Sequence, residues 1–117
     1  METPNAALVA RHVAAFNAGD VDALLADFTA DATWVTGTYT VPSGQLRGFF
    51  RDAMEELTPR LTVRRSIDGG DAVAVEMTES WTFGDRPDSA ALVAVFSLRD
   101  GKIAAAKIYR EGSADVS

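Results

Sequence analysis

Cysteine is absent from this 117-residue chain, and histidine occurs once, at His12. The first absence excludes disulfides, thiolate nucleophiles, cysteine-ligated iron–sulfur clusters and cysteine-based zinc sites. The second leaves no H-x-x-x-H pair, and no EF-hand spacing takes its place, so no metal and no cofactor is expected. Positive charge is also scarce. Eleven Lys and Arg stand against seventeen Asp and Glu, a net charge of -6, which is the wrong sign for neutralising nucleic-acid phosphates or for lying on an anionic membrane. No apolar run approaches the ~18 residues of a membrane span. The start, Met1-Glu2-Thr3-Pro4-Asn5, has neither the basic opening nor the apolar stretch of a signal peptide. The expectation is a cytoplasmic protein with no nucleic-acid and no membrane partner. Gly69-Gly70 precedes no helix bearing a Lys-Ser/Thr pair, and Gly-x-Ser-x-Gly does not occur, so phosphate-cradle and serine-hydrolase motifs are missing as well.

What is present is apolar enough to fold: 47% hydrophobic residues with 24% charged ones set a single domain over 1–117. Thr3 and Pro4 suit an N-cap and a first helical position, and Leu8/Val9, His12/Val13 and Phe16 follow at helical spacing. Gly19 stops that helix and Asp20 caps a second one carrying Val21, Leu24/Leu25 and Phe28. Thr33-Trp34-Val35-Thr36 reads as a short strand, followed by turns around Tyr39-Thr40-Val41. Leu46, Phe50, Ala53 and Leu57 fit a third helix that Thr58-Pro59 ends. Beyond it the period becomes two, with strands predicted over 61–67, 72–83, 90–98 and 102–110, a loop over 84–88, and a frayed tail over 112–117. Helices first and an antiparallel meander afterwards make an α+β arrangement with the helices on one face of the sheet.

The segments Ala15-Phe16-Asn17-Ala18-Gly19-Asp20, Phe28 and Asp31-Ala32-Thr33-Trp34, with the later Arg47-Gly48-Phe49-Phe50 and Asp100-Gly101-Lys102-Ile103 through Tyr109, resemble the SnoaL-like and ketosteroid isomerase-like branch of the nuclear transport factor 2-like superfamily. The resemblance spans nearly the whole chain. It implies a cystatin-like fold: a cone-shaped α+β barrel, with the N-terminal helices packed in the concave face of a strongly curved, mainly antiparallel sheet around a deep apolar pocket. It also implies homodimers through the outer sheet face. Members of such families include isomerases, polyketide cyclases, epoxide hydrolases and binding domains without catalysis, so fold alone does not settle function.

Several residues are candidates for a site. By the resemblance, His12 falls where ketosteroid isomerases carry the pocket tyrosine that donates to the developing enolate. An imidazole with a reference pKa of ~6.5 suits a donor, an acid or a base, although a helix-edge histidine bonded to solvent or a carboxylate fits the same pattern. Thr36 stands where the proton-shuttling aspartate of those isomerases would be, and Val93 falls near their second aspartate; both departures exclude ordinary steroid isomerisation. Glu79 interrupts the apolar parity set Val73, Val75, Met77, Trp81 and Phe83. A carboxylate on a buried face is an acid/base candidate, and the competing readings are a bulge that turns it outward or an ion pair with an arginine such as Arg65. The resemblance places Arg110 in register with pocket-lining positions such as Ala106 and Ile108, where a guanidinium would orient a carbonyl or carboxylate; a surface arginine near the chain end is the alternative. Trp34, Tyr39, Phe49, Phe50, Trp81 and Phe83 suit a pocket for a planar apolar molecule, and equally a core or the apolar part of a dimer face.

The expectation from these residues is a cofactor-independent acid/base enzyme, of isomerase or cyclase type, acting on an apolar oxygenated small molecule such as a polyketide or terpenoid intermediate. His12, Glu79 and Arg110 are the expected catalytic set, with Trp34, Thr36, Tyr39, Phe50, Trp81 and Val93 binding substrate. The alternatives are a non-catalytic ligand-binding or dimeric assembly domain, and an epoxide hydrolase, for which no clear Asp-Arg-Asp arrangement is visible.

Overall fold

A computed structural model describes residues 3–111; the tail expected to fray, 112–117, lies outside the described residues. The element order is α1 (Pro4–Ala18), α2 (Val21–Ala26), β1 (Phe28–Thr36), β2 (Tyr39–Val41), α3 (Leu46–Leu57), β3 (Arg60–Asp68), β4 (Ala72–Phe83), β5 (Arg86–Arg99) and β6 (Lys102–Arg110). The local signals act as their chemistry demands. The Thr3 side chain accepts from the Ala6 N–H, Gly19 ends α1 at φ 69, and the Asp20 carboxylate accepts from the Ala23 N–H at the start of α2. Among the described residues no helix is long and apolar enough to cross a membrane.

Three boundaries differ from the sequence expectation, each through a tertiary partner. Phe28, expected on the second helix, opens β1 because it pairs with Ile103 of β6, and the Ile103 N–H donates to Asp27 O at 2.8 Å. Tyr39–Val41 forms a strand against Trp34–Thr36. Residues 86–88, expected in a loop, extend β5 opposite Trp81–Phe83, leaving the turn to Gly84 at φ 65 and Asp85.

The six strands form one sheet in the order β2-β1-β6-β5-β4-β3; β1 and β6 are parallel and the remaining neighbours antiparallel. The expected strongly curved, cone-shaped barrel is not what forms: the sheet is open, with β2 and β3 at its two edges. One physical reason is at the β3 edge. Asn17 of α1 accepts from the Leu61 N–H at 2.7 Å and donates to Leu61 O at 3.0 Å, and Asn5 donates to the Asp68 carboxylate and to Gly70 O. Through Asn17, helix α1 thus takes up the N–H and C=O of Leu61 that a closing strand would otherwise pair, which is one way a sheet edge is protected. At the opposite edge, β2 has only three residues.

One face of the sheet carries the core. Val73, Val75 and Met77 of β4, Leu92, Ala94 and Phe96 of β5, and Ile103, Ala106 and Ile108 of β6 pack in one cluster with Leu8, Val9 and Phe16 of α1, Leu24 of α2 and Phe50 of α3. At its centre lies His12, only 1% exposed. Its ring sits 5.0 Å from the Phe96 ring, 5.9 Å from Phe28, 6.1 Å from Trp34 and 6.4 Å from Phe16. Burial among these rings lowers its pKa to about 4, with Asp27 opposing the shift. The imidazole is therefore neutral at neutral pH.

Two outcomes are expected. Asn17→Ala leaves Leu61 without its partners and lowers stability by about 2 kcal/mol in a urea titration. For His12 the unfolded chain binds the proton more readily than the folded one. Stability from this group is therefore complete above pH 6.5 and declines as pH falls towards about 4, by about 3 kcal/mol in all. Urea midpoints across that range should fall less steeply in His12→Phe than in the parent protein; parallel slopes would show that His12 does not carry the effect.

Candidate functional site

Alternation along the strands decides which polar groups point inward. On β4 the buried positions are Val73, Val75, Met77 and Trp81, and Glu79 shares their parity with no bulge between them in the β4–β5 ladder. On β6 the buried positions Ile103, Ala106 and Ile108 lead to Arg110 on the same side. Strand β5 lies between them, with Ala90 opposite Glu79 and Leu92 opposite Arg110. The two charged side chains meet over β5: Arg110 Nη2 donates to Glu79 Oε1 at 2.8 Å, with side-chain exposures of 11% and 14%. Arg65, the partner considered from sequence, pairs instead with Glu76 on the opposite face at 3.8 Å.

This ion pair forms part of the wall of a cavity of about 280 Å³. Strand β1 adds Trp34 and Thr36, β2 adds Tyr39, and α1 adds Phe16. Helix α3 supplies the remaining side with Phe49, Phe50, Ala53, Glu56 and Leu57. The aromatic groups are mutually braced: Trp34 meets Phe50 edge-on at 4.8 Å, and the exposed Tyr39 stacks on Phe49 at 6.1 Å. Two polar atoms of lining residues, Thr36 Oγ1 and Arg110 Nε, are buried with no hydrogen-bond partner among the described residues. Each such group costs about 1–3 kcal/mol of desolvation that no described residue offsets, and each calls for a physical explanation.

The structure therefore brings together six of the nine sequence candidates: Glu79, Arg110, Trp34, Thr36, Tyr39 and Phe50. It separates the other three. His12 does not line the cavity; it lies behind two of the lining rings, Phe16 and Trp34, and is a neutral core group whose Nδ1 is also buried without a partner among the described residues. Helix position alone placed it on the apolar face, and only the rings stacked around it show how deep that face is buried. Trp81 is buried on the inner side of β4 but is not a lining residue. Val93 is on the other face of the sheet, paired with Tyr109, while its neighbours Leu92 and Ala94 point inward. There it borders an open cleft of about 500 Å³ with Lys107, Tyr109 and Glu76.

The lining residues that the candidate set omits, Phe16, Phe49, Ala53, Glu56 and Leu57, come from helices. Phe16, Ala53 and Leu57 were legible as apolar helix positions, but a core face and a cavity wall share one periodicity. Chemically, the site offers a carboxylate held by a guanidinium at one end and an aromatic enclosure along its length.

Comparison with known proteins agrees with this architecture. The description of the SnoaL-like domain family matches residues 9–106. Among solved structures the chain is similar to an LEH-like epoxide hydrolase of M. tuberculosis, with a TM-score of 0.85 and 20% identity, covering 94% of this chain and 84% of that one. It is similar to TerC co-crystallised with polyporic acid, with a TM-score of 0.82 and 22% identity over 93% and 92% of the two chains. It is also similar to a hypothetical protein of ketosteroid isomerase-like fold from Catenulispora acidiphila, in complex with trimethylamine, with a TM-score of 0.79 and 21% identity over 87% and 83%. At these identities the likeness establishes the fold. No curated protein matches the chain. With its family match running through most of the helices and strands that build the cavity, the chain belongs to the SnoaL-like domain family.

Proposed function

We propose that the protein is a cofactor-independent acid/base enzyme acting on an apolar oxygenated small molecule, with Glu79 as the base and Arg110 as the electrostatic clamp. The observation that carries this reading is the Glu79–Arg110 pair at 2.8 Å on the wall of an aromatic cavity. A substrate carbonyl placed at Arg110 sets its adjacent carbon beside the carboxylate. Glu79 takes the proton, the C–H electron pair becomes a C=C bond, and the carbonyl pair moves onto oxygen. Negative charge thus passes from one oxygen beside the guanidinium to another, so Arg110 stabilises the charge at both ends of the step. Return of the proton to a different carbon completes an isomerisation; attack of the enolate carbon on a second carbonyl, whose electron pair moves onto its oxygen and takes the proton back from Glu79, completes a cyclisation. Neither outcome requires an oxidant, a reductant or a co-reactant.

Trp34, Phe50 and the Tyr39–Phe49 stack position a flat apolar body and limit its contact with water. His12 takes no direct part in this scheme; it supports the Phe16 and Trp34 walls. The ion pair itself favours the second reading, a binding domain without turnover, because Glu79 Oε1 is already engaged by Arg110 Nη2. Epoxide hydrolysis has less support, since among the described residues Arg110 pairs with the single carboxylate of Glu79. A cytoplasmic location and a homodimer through the outer sheet face complete the proposal. The partly buried Val93 and Val95 and the exposed Tyr109 on that face support the dimer.

The test is deuterium uptake from heavy water at the carbon next to the carbonyl, followed by proton NMR across a panel of cyclic ketones. The expected outcome is catalysed exchange that falls by about 100-fold or more in Glu79→Gln while circular dichroism shows the fold retained. Binding without exchange in the parent protein would leave the non-catalytic reading standing alone.

A further inference from the structure

Thr36 and Arg110 come from adjacent strands. Thr36 pairs with Ile108 in the parallel β1–β6 ladder, and Arg110 stands two residues beyond Ile108, on the same face. Both side chains line the cavity, and in each one polar atom, Thr36 Oγ1 and Arg110 Nε, is buried with no partner among the described residues. On the same guanidinium Nη2 is bound to Glu79. Thr36 is 8% exposed, and among the described residues no group compensates its hydroxyl. Two donors left over at neighbouring positions, beside a carboxylate that already has its cation, describe a seat for a single acceptor oxygen.

We propose that Thr36 Oγ–H and Arg110 Nε–H together seat one carbonyl oxygen of a neutral ligand, and that this pair selects ketones against both hydrocarbons and carboxylates. This inference deepens the proposed function and rests on its cavity, not on turnover. Charge supplies the discrimination against anions. Arg110 is balanced by Glu79, and the remaining acidic side chain on the wall is that of Glu56. A carboxylate ligand would therefore place a second negative charge beside Glu79 without a free cation to meet it. A neutral carbonyl satisfies both donors, and its polarity increases as an enolate forms, so the same two bonds strengthen during proton removal. The hydroxyl at Thr36 is the specificity-determining group, because valine has nearly the same shape and lacks the donor.

The experiment uses β-tetralone, its hydrocarbon tetralin and tetralin carboxylate as probes, with the parent protein, Thr36→Val and Thr36→Ser. Affinities are read by calorimetry, and the carbonyl stretch of bound β-tetralone by infrared difference spectroscopy. The expected pattern is tightest binding for the ketone, a loss of about tenfold in ketone affinity in Thr36→Val with tetralin unchanged, and recovery in Thr36→Ser. The bound carbonyl stretch should lie below its solution value in water and shift back in Thr36→Val, a change that simple repacking would not produce. An unchanged ketone-to-hydrocarbon ratio in Thr36→Val, tighter binding of the carboxylate, or no ketone binding at millimolar concentration would each overturn the proposal. Thr36-dependent ketone binding without deuterium exchange would sustain the seat and defeat the enzyme. Glu79-dependent exchange that ignores Thr36→Val would do the reverse.

Discussion

A carboxylate and a guanidinium buried on the same face of a sheet must find each other, and the site is organised by that requirement. An unpaired charge in this position costs several kcal/mol, and breaking a buried pair typically costs about 3–5 kcal/mol. Glu79 and Arg110 are 31 residues apart and on strands that do not touch; they meet across β5, opposite Ala90 and Leu92. Because both are anchored on strands, their geometry is fixed by the ladders more than by side-chain freedom. The pair therefore places charge in a defined position on an otherwise aromatic wall, and it orients the guanidinium so that Nη2 is used and Nε is not.

The polar groups of the interior have different fates. His12 meets its surroundings by staying neutral, enclosed by four aromatic rings, and its cost is pH-dependent stability. Glu79 is met by the guanidinium of Arg110 at 2.8 Å. Thr36 Oγ1 and Arg110 Nε remain unpartnered among the described residues. Stability alone would favour valine at the first position, so the hydroxyl is best understood through what it offers a ligand.

Much of this was legible in the chain. The break that Glu79 makes in an apolar alternation was enough to single it out, since strand parity is set by covalent geometry and holds wherever no bulge intervenes. Arg110 came from the resemblance, which set it in register with Ala106 and Ile108, while parity on β6 left open which face looks inward. The rule also separates Val93 from Leu92, but an alignment by resemblance is uncertain by a residue, and in a strand one residue changes the face. His12 was visible as a histidine on an apolar helix face; whether that face borders a cavity or a solid core depends on Phe28, Trp34 and Phe96, which come from β1 and β5. The barrel expectation failed for a comparable reason. Whether a sheet closes depends on what occupies its edges, and here Asn17 of α1 bonds both backbone groups of Leu61 on the β3 edge.

The amino-acid sequence by itself determined the helices with their caps, most of the strands, the two-faced pattern of each strand and the α+β class, because these follow from local sterics, capping chemistry and periodicity. Tertiary structure decided the rest: that β1 begins at Phe28, that the sheet stays open, that Glu79 takes Arg110 and not Arg65, and that Thr36 lines the cavity while His12 sits behind it. Those outcomes depend on contacts between residues tens of positions apart, and local spacing carries no information about which distant group will fill a given space or meet a given charge.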